Sequence, residues 1–218
     1  MQSALLGKEE AKKAIALLRS SYKDAHYYLD FKNDIDLVVA AIISAQTRDE
    51  VVNSITPALF SRYRTVQDYA RADEAELAGY ISRVSFAAAK AKNIIRTCSA
   101  IMERHGGKIP RTMEQLVELP GIGRKTANTI LINAYGIVEG IPVDTWVIKL
   151  SGRIGLSGSK DPEGIERDLM GLVDREDWRN FGYVLKAHGK AICQSQVPLC
   201  SKCVINKLCP KNGVAKNR

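Results

Sequence analysis

From residue 8 to residue 191 the apolar side chains recur at helical spacing, and nowhere do they alternate as one face of a sheet requires. Residues 8–22 place Ala11, Ile15 and Leu18 along one helical face. Residues 35–45 are almost wholly apolar, with Ile35, Leu37, Val38 and Ile42, the composition of a helix enclosed on all sides. The pattern predicts further helices over 50–62, 74–82, 87–105, 111–118, 124–135, 145–154, 162–173 and 176–191. Stop signals punctuate it: Gly106-Gly107 ends one run, Pro120 another and Gly136 a third. There is no hairpin dipeptide between apolar runs, no low-complexity tract and no repeat at solenoid period. The fold class is therefore all-α with short connections.

A chain of 218 residues can build one large domain or two small ones. Lysine and arginine number 32 against 24 acidic residues, a formal charge of +8. That excess fits a polyanion partner without choosing nucleic acid over an acidic surface, and it equally fits a soluble basic protein with neither. No apolar run approaches the roughly 18 residues of a membrane span. Met1 to Lys13 carries Glu9, Glu10, Lys12 and Lys13 and no apolar leader core, so a cytoplasmic protein is expected. Cations gather in residues 88–125: Lys90, Lys92, Arg96, Arg104, Lys108, Arg111, Arg124 and Lys125. Such a run is commonly a solvated helix face, but its position just before the glycine turn at 119–125 favours a DNA-facing surface.

That turn reads Leu119-Pro120-Gly121-Ile122-Gly123-Arg124-Lys125 and leads straight into a predicted helix. Gly121 and Gly123 can take backbone angles closed to other residues and present no Cβ to a phosphate. Ile122 can anchor the turn inward. Beyond Gly123 the first N–H groups of the helix lack intrahelical acceptors and can bind an anion. An ordinary helix–helix turn would look similar from Gly-x-Gly alone.

Four of the five cysteines cluster as Cys193-x6-Cys200-x2-Cys203-x5-Cys209. In a reducing compartment such clustering points to a metal or a cluster rather than to disulfides. The spacing suits a tetrahedral zinc or an iron–sulfur cube, and it does not decide between them. Cys98 stands apart and reads as a buried helix residue.

Lys125 and Asp144 carry the possible chemistry. A free lysine is neutral in roughly one molecule in 2,500 at pH 7, so a nucleophilic one must be desolvated, crowded by cations or served by a base. The helix N-terminus contributes only about 0.3–1 kcal/mol of this. A solvated surface lysine is the commoner case. Asp144 precedes Thr145-Trp146-Val147 and reads as a helix N-cap, which is compatible with a catalytic role.

The stretch Leu119 to Ala127, Leu-Pro-Gly-Ile-Gly-Arg-Lys-Thr-Ala, closely resembles the helix-hairpin-helix glycosylase superfamily and, within it, the endonuclease III family. Val143-Asp144-Thr145 matches the family's Val-Asp-Thr, with Asp144 at the catalytic aspartate. Ser44-Ala45-Gln46-Thr47 resembles its Ser-Ala-Gln segment, whose glutamine helps fill the gap left in the DNA stack. His188-Gly189 before Cys193 fits as well, and the resemblance covers nearly the whole chain. It implies two helical domains with a DNA-binding cleft between them: 28–138, six helices with the helix-hairpin-helix motif, and 1–27 with 139–218, carrying the cysteine loop. It implies a monomeric base-excision enzyme, nucleoid-associated in the cytoplasm, acting on double-stranded DNA with a damaged or mismatched base. Lys125 would attack the sugar C1′, form a Schiff base and cut the strand by β-elimination, with Asp144 assisting. Gly121, Gly123 and Arg124 would grip phosphate. The four cysteines would hold a 4Fe–4S cluster, with Lys202 and Lys207 on its loop reaching DNA.

Two departures fall near the expected base contacts. Trp146 stands where the family commonly has histidine, and could stack on a base or pack against a helix. Ser85-Phe86-Ala87-Ala88 replaces the usual Gly-(Leu/Phe)-Tyr, so Phe86 reads as a wedge into DNA or as core. Oxidised pyrimidines are the substrates implied. The alternatives are thymine or uracil mispaired with guanine, or damage recognition without cutting. A helical iron–sulfur electron carrier leaves the glycine turn without a role.

Overall fold

A computed structural model describes residues 4–218, and among them it contains helices and no strand. Its contacts divide the chain into two compact units, Tyr28–Ile137 and the pairing of residues 4–27 with Val138–Arg218.

The continuous unit holds α2 (Asp34–Ile43), α3 (Asp49–Arg62), α4 (Val66–Ala70), α5 (Glu74–Tyr80), α6 (Ala87–His105), α7 (Met113–Val117) and α8 (Arg124–Tyr135). The all-apolar run is its centre: every residue of α2 from Ile35 to Ile43 is buried. Asn33 starts this helix by accepting a hydrogen bond from the Asp36 N–H. The long helix α6 packs against α2, α4 and α5, while α8 packs against α2 and α7. Gly106 stops α6 in the left-handed region at φ 59°, and the Gly107 N–H returns to the Ile101 carbonyl, closing a Schellman-type end.

Seven helices occupy this segment where the periodicity predicts six. The additional one is α4, five residues long and too short to show a period. It is held by a capping box, in which the Thr65 hydroxyl accepts from Asp68 N–H and the Asp68 carboxylate accepts from Thr65 N–H. Tyr69 of α4 stacks on Tyr63 with ring centroids 5.1 Å apart.

The discontinuous unit holds α1 (Lys8–Ser21), α9 (Thr145–Ile154), α10 (Pro162–Leu172) and α11 (Trp178–Ala191), preceded by a 3-10 turn at Arg175–Asp177, with a second at Cys200–Lys202. Ala11, Ala14, Ile15 and Leu18 of α1 meet Leu150 and Ile154 of α9, Ile165 and Leu169 of α10 and Phe181 and Leu185 of α11 in one core. A fully buried leucine, isoleucine or phenylalanine contributes about 1.5–3 kcal/mol, so this core ties α1 to helices more than a hundred residues away in sequence. The cysteine loop joins its edge through Cys193 and Ile205.

Candidate active site and nucleic-acid interface

In the continuous unit the glycine turn joins α7 to α8. Leu119 and Ile122 are buried and hold it from beneath, and the Ile122 N–H donates to the Leu119 carbonyl. Gly121 sits at φ 78°, where a side chain would be strained. A Cβ there would also stand 3.2 Å from Asn93 Cβ on α6. Thr97, one turn further along α6, donates its hydroxyl to the Pro120 carbonyl. The turn is thus seated on α6.

Both glycines can take unusual angles, but only Gly121 does so; Gly123 does not. It is the N-cap of α8 in extended backbone, at φ −92° and ψ 173°. Neither its backbone angle nor its surroundings require glycine, since a Cβ there would meet nothing within 4 Å. No side chain caps α8, and its first turn contains no acidic residue. Arg124 is exposed and Lys125 half-buried in that first turn. The Lys125 carbonyl accepts the Thr129 hydroxyl at 2.9 Å.

The unit also carries Gln46 and Phe86, and both have the left-handed backbone that side chains rarely adopt, at φ 55° and 59°. Phe86 is 68% exposed, which excludes core packing. Gln46 is exposed too. The structure brings their loops together, because the Ser85 hydroxyl donates to the Gln46 carbonyl at 3.2 Å.

Lys90 is a correction. Counted above among the DNA-facing cations, it is buried, and its ammonium faces the interior. Burial draws its pKa below the ordinary lysine value. The sequence offered no signal for this beyond its place in the first turn of a helix whose neighbours are alanines.

In the discontinuous unit Asp144 is the N-cap of α9. One carboxylate oxygen, Oδ1, accepts from the Trp146 and Val147 N–H groups, both at 2.9 Å. The cap fixes the carboxylate at a helix N-terminus, where negative charge is stabilised. Trp146 follows, and its ring lies against the backbone of Gly189 on α11. A Cβ at Gly189 would fall 2.3 Å from Trp146 Cε3. Lys149 places its Nζ 5.5 Å from the same ring. The ring thus packs against a helix.

Cys193, Cys200, Cys203 and Cys209 form no disulfide and line one cavity with Ile154, Ile192 and Ile205. No carboxylate lines it. Arg153, which the sequence did not mark, braces the first half of the loop. Its guanidinium donates to the carbonyls of Cys193, Gln194 and Ser195 and to the Cys193 sulfur at 3.5 Å. His188 lies between Tyr22 Oη, 3.0 Å from Nδ1, and Cys203 Sγ, 3.6 Å from Nε2. Burial pulls its pKa down to about 4, so its ring is neutral at pH 7. Among the described residues, no three histidine, cysteine or acidic side chains form a group that could hold a single metal ion, so the four cysteines are not arranged as the ligand set of one zinc. Lys202 and Lys207 are exposed on the loop. Cys98, as expected, is fully buried in α6, where desolvation pushes its pKa up to about 12.

Comparison with known proteins bears on these features together. The model of the HhH-GPD superfamily of base excision DNA repair proteins matches residues 39–175. Endonuclease III of Synechocystis sp. is 44% identical over 203 residues, 93% of each chain, and endonuclease III of Bacillus subtilis is 39% identical over 86% of each. A trapped endonuclease III–DNA covalent intermediate superposes with a TM-score of 0.91 at 32% identity, covering 95% of this chain and 97% of that one. A thermostable thymine-DNA glycosylase shares the fold, with a TM-score of 0.83 at 20% identity over 93% of this chain and 96% of that one. No helix among the described residues is long and apolar enough to cross a membrane.

Proposed function

The chain belongs to the HhH-GPD superfamily of base excision DNA repair proteins, with endonuclease III among its relatives, and on that basis we propose that it removes oxidised pyrimidines from duplex DNA through a Schiff base on Lys125. It is a DNA glycosylase with AP lyase activity. The single observation that carries the assignment of residues is Lys125 in the first turn of α8, directly behind an uncapped Gly123 with open space around it.

The turn at 119–123 receives a phosphate on helix N–H groups, with Arg124 beside it. Seating on α6 through Thr97 keeps that grip in one place. The target nucleotide leaves the stack. Gln46 enters the vacated space and Phe86 wedges beside it; their exposure and left-handed backbone support both roles.

Lys125 as the free amine then attacks C1′. The C1′–N bond breaks, and the base departs with a proton. Asp144 serves Lys125 and stabilises positive charge developing on the sugar, its position set by the two N–H donors of the α9 cap. Opening of the sugar ring gives the iminium. Loss of a C2′ proton expels the 3′ phosphate, and hydrolysis frees Lys125. Trp146 we assign to packing that fixes the start of α9 rather than to the base pocket. We take the two compact units as the two domains of this enzyme.

The donor set of the cysteine cavity, four sulfurs without a carboxylate, fits a 4Fe–4S cluster held by Cys193, Cys200, Cys203 and Cys209. Such a group would tie the loop as a covalent staple. Lys202 and Lys207 on its surface would then meet DNA phosphate.

A nicking assay tests the substrate. Duplexes carrying thymine glycol, dihydrouracil, G·T, G·U or an abasic site are incubated with the protein, and strand ends are identified. Thymine glycol and dihydrouracil should be cut with β-elimination ends. Cutting confined to G·T and G·U would overturn the assignment to oxidised pyrimidines.

A further inference from the structure

Lys90 is among the few charged side chains buried in the protein, at 6% exposure. It leaves the first turn of α6 and donates from Nζ to three oxygens: the Ile43 carbonyl at 2.8 Å, the Ala45 carbonyl at 2.5 Å and the Thr47 hydroxyl at 3.1 Å. Three donors thus meet three acceptors, which satisfies a buried ammonium without a carboxylate. The first acceptor belongs to the C-terminal turn of α2, where carbonyls lack intrahelical donors and the helix dipole favours a cation.

The other two acceptors flank Gln46. Residue 45 is gripped at its carbonyl and residue 47 at its side chain, both by the same atom. Gln46 itself is held at its carbonyl by Ser85. Both holding side chains come from the segment that surrounds Phe86, and the Lys90 N–H makes the first helical bond of α6 back to the Phe86 carbonyl. The only residues of this region with left-handed backbone, Gln46 and Phe86, are therefore locked to each other from two sides. A left-handed non-glycine residue persists only where its surroundings over-determine it, at a cost of about 1–3 kcal/mol.

We propose that Lys90 is a positioning residue for base excision: it holds the Gln46 loop in its strained conformation and in register with Phe86, so that both side chains enter the DNA stack without reorganisation. This rests on the assignment of Gln46 as the side chain that enters the stack. It removes Lys90 from the DNA-contacting cations and gives its charge an internal purpose. The arrangement is preorganisation, in which the ordering cost is met during folding rather than on DNA binding.

A double-mutant cycle tests it. Lys90→Met keeps the stem and removes the three donors. Gln46→Ala removes the inserted side chain. Each is measured by single-turnover excision on a thymine glycol duplex and by fluorescence of a purine analogue opposite the lesion, which reads entry into the stack. Ser85→Ala removes the second grip at an exposed position and serves if Lys90→Met does not fold.

Lys90→Met should slow excision about 10- to 100-fold and suppress the fluorescence change, the scale set by a misplacement of about 1 Å. Added to Gln46→Ala, it should cost less than threefold more, because its effect runs through Gln46. Ser85→Ala should be non-additive with Gln46→Ala in the same way. Wild-type excision by Lys90→Met or, where that variant does not fold, by Ser85→Ala, with Gln46→Ala slow, would overturn the positioning role alone. Multiplying losses would do so too, showing a general stabiliser. Wild-type excision by Gln46→Ala would overturn the assignment of Gln46 and, with it, this role.

Discussion

Asp144 caps α9 and is proposed to serve Lys125, and substitution separates the two roles. Its Oδ1 accepts two N–H groups at 2.9 Å and so closes the first turn of α9. Asparagine keeps an oxygen able to accept both and ranks with aspartate as an N-cap. Asp144→Asn therefore loses only the charge–dipole contribution, about 0.3–1 kcal/mol. Asp144→Ala loses the cap, about 1–2 kcal/mol, which for a chain of this size lowers Tm by about 2–8 °C. Catalysis should respond to charge instead. Both variants remove the carboxylate proposed to serve Lys125, and general-base contributions of this kind are about 10²- to 10⁴-fold. Single-turnover excision of thymine glycol, followed alongside circular dichroism melting, gives both readings from one preparation. The expected pattern is Asp144→Asn nearly as stable as wild type and at least about 10²-fold slower. An asparagine variant with wild-type excision would show that Asp144 only caps α9. An alanine variant with wild-type Tm would show that the two hydrogen bonds carry no net stability.

Further consequences concern the surroundings of the site. Gly189→Ala would put a Cβ 2.3 Å from the Trp146 ring; repacking should destabilise the protein by about 1–3 kcal/mol, read by urea unfolding, while Gly189→Ala with Trp146→Ala should recover part of that loss. Lys202→Ala and Lys207→Ala should each weaken binding to undamaged duplex and reduce the slope of log affinity against log salt by about 1, checked by anisotropy titration. Cys200→Ser should lower iron content and visible absorbance and loosen the 193–209 loop, checked by iron analysis and by limited proteolysis; an unchanged iron content would remove Cys200 from the ligand set.

Much of this was legible in the sequence where the signal was local and repeated. The helix α2 could be placed from its unbroken apolar run, and the stop of α6 from Gly106-Gly107, because one face or one backbone angle decides each. The cysteine spacing and the Leu119–Ala127 motif located the candidate site. What escaped was set by tertiary contact. Helix α4 is shorter than two turns, so its evidence was the Thr65–Asp68 box rather than a period. Lys90 looks like any lysine in a cationic stretch, and only the Ile43 carbonyl at the end of α2, with Ala45 and Thr47 just beyond it, makes it a buried brace. Gly123 and Gly121 look alike in sequence, yet only Gly121 is held to glycine by its left-handed φ, while Gly123 is extended with open space beside it. Nor does the sequence show that the Trp146 ring lies against Gly189, 43 positions later by residue number.

The central claim is that the amine on α8 forms the covalent bond to DNA. Borohydride reduction during reaction with a thymine glycol duplex, followed by protease digestion and mass spectrometry of the adduct, tests it directly. The reduced cross-link should map to Lys125, and Lys125→Ala should abolish it. A cross-link on another lysine, or full-yield trapping of Lys125→Ala, would contradict the account.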